Sequence, residues 1–163
     1  MNWKLETDVN YYVKDYFDKL GLEKLKDYND ETSMSDYMKE ALKGSAKTEK
    51  KTRFGTPDFH IEKYNIPVII ENKLGLNKLK IYNKSGIKDD DKAISNYAVN
   101  GCLHYARSMI KSNKYREVIA IGIAGDNKDN VTIDINYVFG GSKDTYKHAV
   151  SYTHLTLPTK RIV

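Results

Sequence analysis

Gly55-Thr56-Pro57-Asp58-Phe59-His60-Ile61, followed after Glu62-Lys63-Tyr64-Asn65 by Ile66-Pro67-Val68-Ile69-Ile70-Glu71-Asn72-Lys73, is the stretch on which the fold turns. In its first half Phe59, Ile61 and Lys63 alternate with His60 and Glu62, the period-two pattern of a strand. Its second half is a short, nearly continuous apolar run rich in β-branched residues, ending at Glu71, which suits a central strand buried on both faces. Tyr64-Asn65 supplies the turn. A hairpin folded there puts Asp58 and Glu71 at the same open end. Residues two apart on a strand share a face, so Glu71 and Lys73 project together.

Working outward, Glu6 to Leu20 carries Val9, Tyr12, Val13, Tyr16, Phe17 and Leu20 at helical intervals, with Thr7 or Asp8 as cap and Gly21 as stop. A second, shorter helix is expected from Ser35 to Leu42, capped by Ser33 or Ser35 and ended by Gly44. Lys43 to Arg53 is polar and basic. It reads as a solvated loop or as a loop that meets phosphates. A short strand is expected at Leu79 to Tyr82 and one long helix from Asp91 to Lys111. Val118 to Ala124 and Val131 to Val138 are expected strands. The alternation of helices and strands implies one α/β domain built on a single sheet.

The chemistry sits at the hairpin's open end. Two carboxylates brought together are costly unless a cation lies between them. A hard divalent ion such as Mg²⁺, with Mn²⁺ as the alternative, neutralises them and retains waters. Asp58 and Glu71 are the expected ligands, with the main-chain carbonyl of Asn72 beside them. Such an ion polarises a phosphate and acidifies a bound water, while Lys73 orients or deprotonates that water or stabilises the transition-state charge. The pattern alone leaves a second reading open: a hairpin bearing a surface ion pair between Glu71 and Lys73.

Gly55 to Ile61 together with Ile69 to Lys73 resembles the PD-(D/E)xK nuclease superfamily. Within it the chain is similar to the N-terminal nuclease domain of type I restriction-enzyme R subunits and of restriction enzymes fused to an adenine-specific methyltransferase. The resemblance spans about Glu6 to Phe139. It implies a restriction-endonuclease-like αβββαβ core with a mixed central sheet flanked by helices. It also implies Mg²⁺-dependent cleavage of double-stranded DNA, with Asp58, Glu71 and Lys73 as catalytic residues. Members often carry a first-helix glutamate that helps bind metal. Glu6 matches that position, although Glu6 could simply complement the helix N-terminus. Relatives also carry a glutamine four residues before a tyrosine on the later helix. Tyr105 fits the tyrosine, but Gly101 stands where the glutamine belongs, leaving Asn100 or His104 as substitutes. His60 either faces the site or is an exposed strand residue.

Composition is that of an ordinary globular domain, 40% hydrophobic and 30% charged. No run of eighteen apolar residues exists to span a membrane, and the N-terminus lacks a secretory signal. The single cysteine, Cys102, excludes an internal disulfide framework and a multi-cysteine zinc site. A cytoplasmic home is the default expectation. Net charge is +5, modest for a nucleic-acid binder. Val150 to Thr159 back-translates, codon by codon, to the end of a transposon-based sequencing adapter. The expected division is therefore a nuclease domain over 1–149, cut from a longer protein, and a foreign tail over 150–163. Removing Ser151 to Val163 takes away Lys160 and Arg161 and no acid, lowering the charge from +5 to +3. The expected function is the endonuclease part of a restriction-modification enzyme, working with helicase or methyltransferase domains or subunits. A stand-alone repair or recombination nuclease and a non-catalytic DNA- or subunit-binding domain are the alternatives.

Overall fold

The computed structural model describes residues 1–47, 53–140 and 145–153. The chain runs α1 (Glu6–Lys19), β1 (Asn29–Asp30), α2 (Asp36–Ala41), β2 (Phe59–Ile61) and β3 (Val68–Leu74). It continues through a 3-10 turn at Leu76–Lys78 to β4 (Tyr82–Asn83), β5 (Gly86–Ile87), α3 (Asp91–Asn96) and α4 (Ala98–Lys111). The last elements are β6 (Glu117–Asn127), β7 (Asn130–Phe139) and β8 (Thr145–Thr153). Six strands form one sheet in the order β1-β2-β3-β6-β7-β8, and β4 and β5 form a separate hairpin. Only β3 and β6 run parallel, and every other pairing in the large sheet is antiparallel. This is an α/β fold with a mixed six-stranded sheet and helices on both faces.

The unbroken apolar run at Val68 to Ile70 follows from that placement. Successive side chains of β3 point to opposite faces, and both faces are covered. Ile70 enters a cluster with Val9, Val13 and Phe17 of α1 and with Phe59 and Ile123. Ile69 enters the other cluster with Met38 and Leu42 around α2, Leu103 and Met109 of α4, and Val118. The same alternation directs Glu71 toward α4 and Asn72 toward α1.

Small residues along β6 let α4 come close. A Cβ at Gly122 would lie 2.6 Å from Val99 Cγ2 and 2.7 Å from the Val99 backbone nitrogen. Backbone cannot yield as a side-chain tip can, so Gly122→Ala is expected to destabilise the domain by about 2–3 kcal/mol through overpacking. A urea melt within 0.5 kcal/mol of the parent, on that same scale of core changes, would contradict this packing.

Three expectations about elements need correction. Asp91 to Lys111 is two helices. Tyr97 is extended, with φ −126° and ψ 136°, and α4 restarts at Ala98. The freed N–H of Val99 donates to Leu79 O at 2.8 Å. The Asn100 side chain bonds Ile81 on both its N–H and its carbonyl, and also Lys88 O. The break thus exposes N-terminal N–H groups that the 79–88 segment uses. That segment is held by helix and side chain, and of the strand expected over Leu79 to Tyr82 only Tyr82 is in a strand, the two-residue β4. The third correction is the α1 cap. Asp8 reaches back from inside the helix and accepts from the N–H groups of Lys4 and Leu5 at 2.9 and 3.0 Å. Ser35 caps α2 as expected, accepting from Met38 N. Gly21 and Gly44 take positive φ at the ends of the first two helical segments. Three strands were not anticipated, β1, β5 and β8, and β8 runs through Val150 to Thr153. Among the described residues no helix is long and apolar enough to cross a membrane.

Candidate active site

The β2–β3 register decides the geometry. Phe59 faces Ile70 and Ile61 faces Val68. Extending it by one residue sets Asp58 opposite Glu71 at the open end of the hairpin. Asp58 Oδ2 accepts from the Asn72 backbone N–H at 2.8 Å, so the carboxylate is tied to the neighbouring strand. Gly55 clears the approach. A side chain there would fall 2.3 Å from the Tyr105 ring and 2.5 Å from Ser45 Oγ. Its N–H is held by Ser45 Oγ and Leu42 O. Pro57-Asp58 is thereby led onto the sheet over the ring of Tyr105.

Glu71 is buried, 3% exposed, and its Oε2 receives Lys47 Nζ at 2.8 Å. Lys47 also lies over the Tyr105 ring, 4.6 Å from its centroid. Lys73 turns to the mouth of the site, where its Nζ donates to Glu6 Oε1 at 2.8 Å. The surface pair between Glu71 and Lys73 that the sequence left open is thus not formed. Each takes another partner. On the far face of β3, Asn72 Nδ2 donates to Asn10 Oδ1 at 2.7 Å while Asn72 Oδ1 is buried with no protein partner. Only the main chain of Asn72 is on the acidic side. These groups line a cleft of about 380 Å³ whose walls include Glu6, Glu31, Lys47, Asp58, Glu71, Lys73 and Tyr105.

Electrostatics single out the acid pair. Burial, and then the adjacent Glu71 charge, push the Asp58 carboxyl up to about 7. Glu71 is also raised, by burial first, against the opposing pull of Lys47 and Lys73. Burial works against the Lys73 ammonium, but Glu6, Glu71 and Asp58 more than offset it and its pKa is raised. Two carboxyls strained in their charged form at one cleft are the environment a cation relieves. Among the described residues no three His, Cys, Asp or Glu side chains converge as a ready metal cage. The donors present suit an ion that keeps much of its water, since Mg²⁺ is commonly bound by one or two carboxylates.

The remaining sequence candidates separate. Tyr105 joins the site as the floor under Lys47. Asn100 is spent on the 79–88 segment. His104 Nε2 lies 2.9 Å from Ser45 O and lines a neighbouring cavity with Lys43 and Arg107, outside the acid cleft. His60 is neither at the cleft nor exposed. It is fully buried with both ring nitrogens unpartnered, and burial lowers its pKa. In the basic 43–53 segment, Lys47 and Arg53 line the cleft, while residues 48–52 lie outside the described residues. Lys47 is the residue that sequence reading missed. Only its place in a basic stretch just before the Pro57-Asp58 motif could have suggested it.

The chain is similar to a restriction enzyme. Over 123 residues it is 38% identical to the type II restriction enzyme and methyltransferase RM.BcgI of Heyndrickxia coagulans. The match covers 74% of this chain and 19% of that protein, so the chain spans about a fifth of the curated relative's length. No family profile matches the chain, and no solved structure matches it.

Proposed function

We propose that the chain is the Mg²⁺-dependent DNA-cleaving domain of a restriction-modification enzyme, with a PD-(D/E)xK core. The observation that carries this reading is the pairing of Asp58 with Glu71 across the β2–β3 end, with Lys73 two residues further along the same strand. The order α1-β1-β2-β3-α4-β6 within the fold supports it, as does the similarity to RM.BcgI. The reading makes double-stranded DNA the substrate and methyltransferase or helicase parts the partners.

Asp58 and Glu71 would hold the ion, with the main-chain carbonyl of Asn72. Glu6, more exposed than Asp58 or Glu71, stands at the mouth. When bound, the ion supplies Lewis-acid polarisation of the phosphate and a water of lowered pKa. The protein's own groups do the rest. Asp58 is fixed by the Asn72 N–H, so the ligand carboxylate is oriented before an ion arrives. The raised pKa of Lys73 keeps it protonated at neutral pH. In the metal-free state it is a cation placed to orient the nucleophile and stabilise charge on the phosphate. Lys43, Arg53 and Arg107, at or beside the cleft, offer contacts to flanking phosphates.

Purified protein should nick plasmid DNA with Mg²⁺ and not with EDTA. Lys73→Ala is expected to lower cleavage about 10²–10³-fold, the scale of losing one preorganised electrostatic contributor. Its stability should fall in the metal-free protein, because Lys73 is largely buried and offsets the Glu71 and Asp58 charges, so cleavage is compared at a temperature where both proteins are folded. Full cleavage by Lys73→Ala would reject this assignment of roles.

A further inference from the structure

Lys47 occupies a built seat. Its side chain is 15% exposed and its carboxylate partner's 4%. Three surfaces define the seat: Glu71 Oε2 at 2.8 Å, the face of Tyr105, and the helix α4 backbone at Gly101. A Cβ at Gly101 would lie 2.7 Å from Lys47 Nζ and 2.9 Å from Ile94 O, so the absence of a side chain there leaves the ammonium its room. The seat is placed on the buried acid that a divalent ion would need.

From this geometry we infer that Lys47 is a resident counter-ion of Glu71, which holds the carboxylate in the metal-free protein, competes with the divalent ion, and passes to a DNA phosphate when DNA enters the cleft. The inference rests on the metal-dependent reading above. Its physical basis is charge. An ammonium in hydrogen-bond contact with Glu71 both neutralises the carboxylate and repels an incoming cation. The Lys47 side chain stands in the wall of the cleft, where a phosphate oxygen offers the ammonium an equivalent acceptor. DNA would then release Glu71 to the ion, and metal and DNA would strengthen one another's binding, as linkage requires. Lys47 is a positioning residue in this scheme and need not touch the reacting phosphate.

The test is calorimetric titration of the full chain with Mn²⁺, with and without a DNA duplex in Ca²⁺-free buffer. Without DNA, Lys47→Met should bind Mn²⁺ about tenfold more tightly than the parent, and the duplex should tighten the parent more than the variant. Lys47→Arg, which pairs more firmly with a carboxylate, should bind Mn²⁺ more weakly than the parent without DNA. This second variant keeps the pair with Glu71 and so serves if Lys47→Met does not fold. Equal or weaker binding by Lys47→Met, or tighter binding by Lys47→Arg, overturns the counter-ion role. If Mn²⁺ binding is lost in Asp58→Ala but indifferent to both Lys47 variants, the metal site stands and the inference falls. If no variant and no parent protein binds Mn²⁺, the metal-dependent reading falls, and the inference falls with it.

Discussion

Asp58→Asn is expected to abolish DNA cleavage and, in the same molecule, to stabilise the metal-free protein. The loss of activity should be at least about 10³-fold, equivalent to ~4 kcal/mol of transition-state stabilisation. A neutral amide cannot match a carboxylate as a ligand to a hard cation. The gain in stability has the opposite origin. Asp58 faces Glu71, and burial plus that charge push its carboxyl up to about 7. Above that pH the folded protein holds an ionised carboxylate that the unfolded chain would hold at lower cost. Asparagine removes the charge but keeps an oxygen to accept from the Asn72 N–H. At pH 8 the gain should be on the order of 4 kcal/mol, shrinking toward zero near pH 4, where the parent's folded carboxyl is neutral. Parallel denaturant melts and plasmid assays measure both effects. An Asp58→Asn protein that is inactive and also less stable at pH 8 would contradict the electrostatic account, since the residue would then be supporting the fold.

The pairing of the two acids across the β2–β3 end was legible in the sequence. Asp58 and Glu71 border apolar strands where a carboxylate has no packing role. Their spacing around Tyr64-Asn65 allows a hairpin that sets them side by side, and β2 and β3 pair in that register. The apolar run of β3 was legible because two covered faces demand it. What was not legible depends on partners distant in sequence. The break at Tyr97 exists because Val99 and Asn100 serve residues 79–88, and local periodicity reads straight through it. β1 is two residues long and has no pattern to read. Lys47 lies in a polar stretch whose composition describes a solvated loop, yet the Tyr105 face and the space at Gly101 draw its ammonium inward. In the sequence Gly101 stands only where a glutamine is missing, whereas in the fold it is the room for that cation. His60 shows the reverse error. Strand alternation placed it correctly on one face of β2, but nothing local revealed that the face is closed and offers its ring no partner.

Metal binding to this site should cancel most of the pH dependence of stability that Asp58 creates. In the metal-free protein Asp58 has a folded pKa of about 7 against an ordinary value of 3.8. Its stabilising contribution is complete below pH 3.8 and is lost as pH rises through 7, and the raised Glu71 acts in the same direction. The carboxylates whose pKa is lowered, such as Asp30 and Asp134, are ionised in both states above pH 5 and add no slope there. His60 acts oppositely. Its lowered pKa gives stability that grows as pH rises toward 6.5. Comparison with Asp58→Asn, which keeps His60, cancels that contribution. The parent should therefore lose stability relative to Asp58→Asn between pH 5 and pH 8, by on the order of 3 kcal/mol. Mg²⁺ binds the ionised pair, so it should restore the parent at pH 8 by about 2.7 kcal/mol when present at a hundred times its dissociation constant. At pH 5 the same Mg²⁺ should do little, because protons occupy its ligands. Thermal melts at the two pH values, with Mg²⁺ and with EDTA, separate the cases. An equal Mg²⁺ effect at pH 5 and pH 8, or an undiminished effect in Asp58→Asn, would place the ion elsewhere than between Asp58 and Glu71.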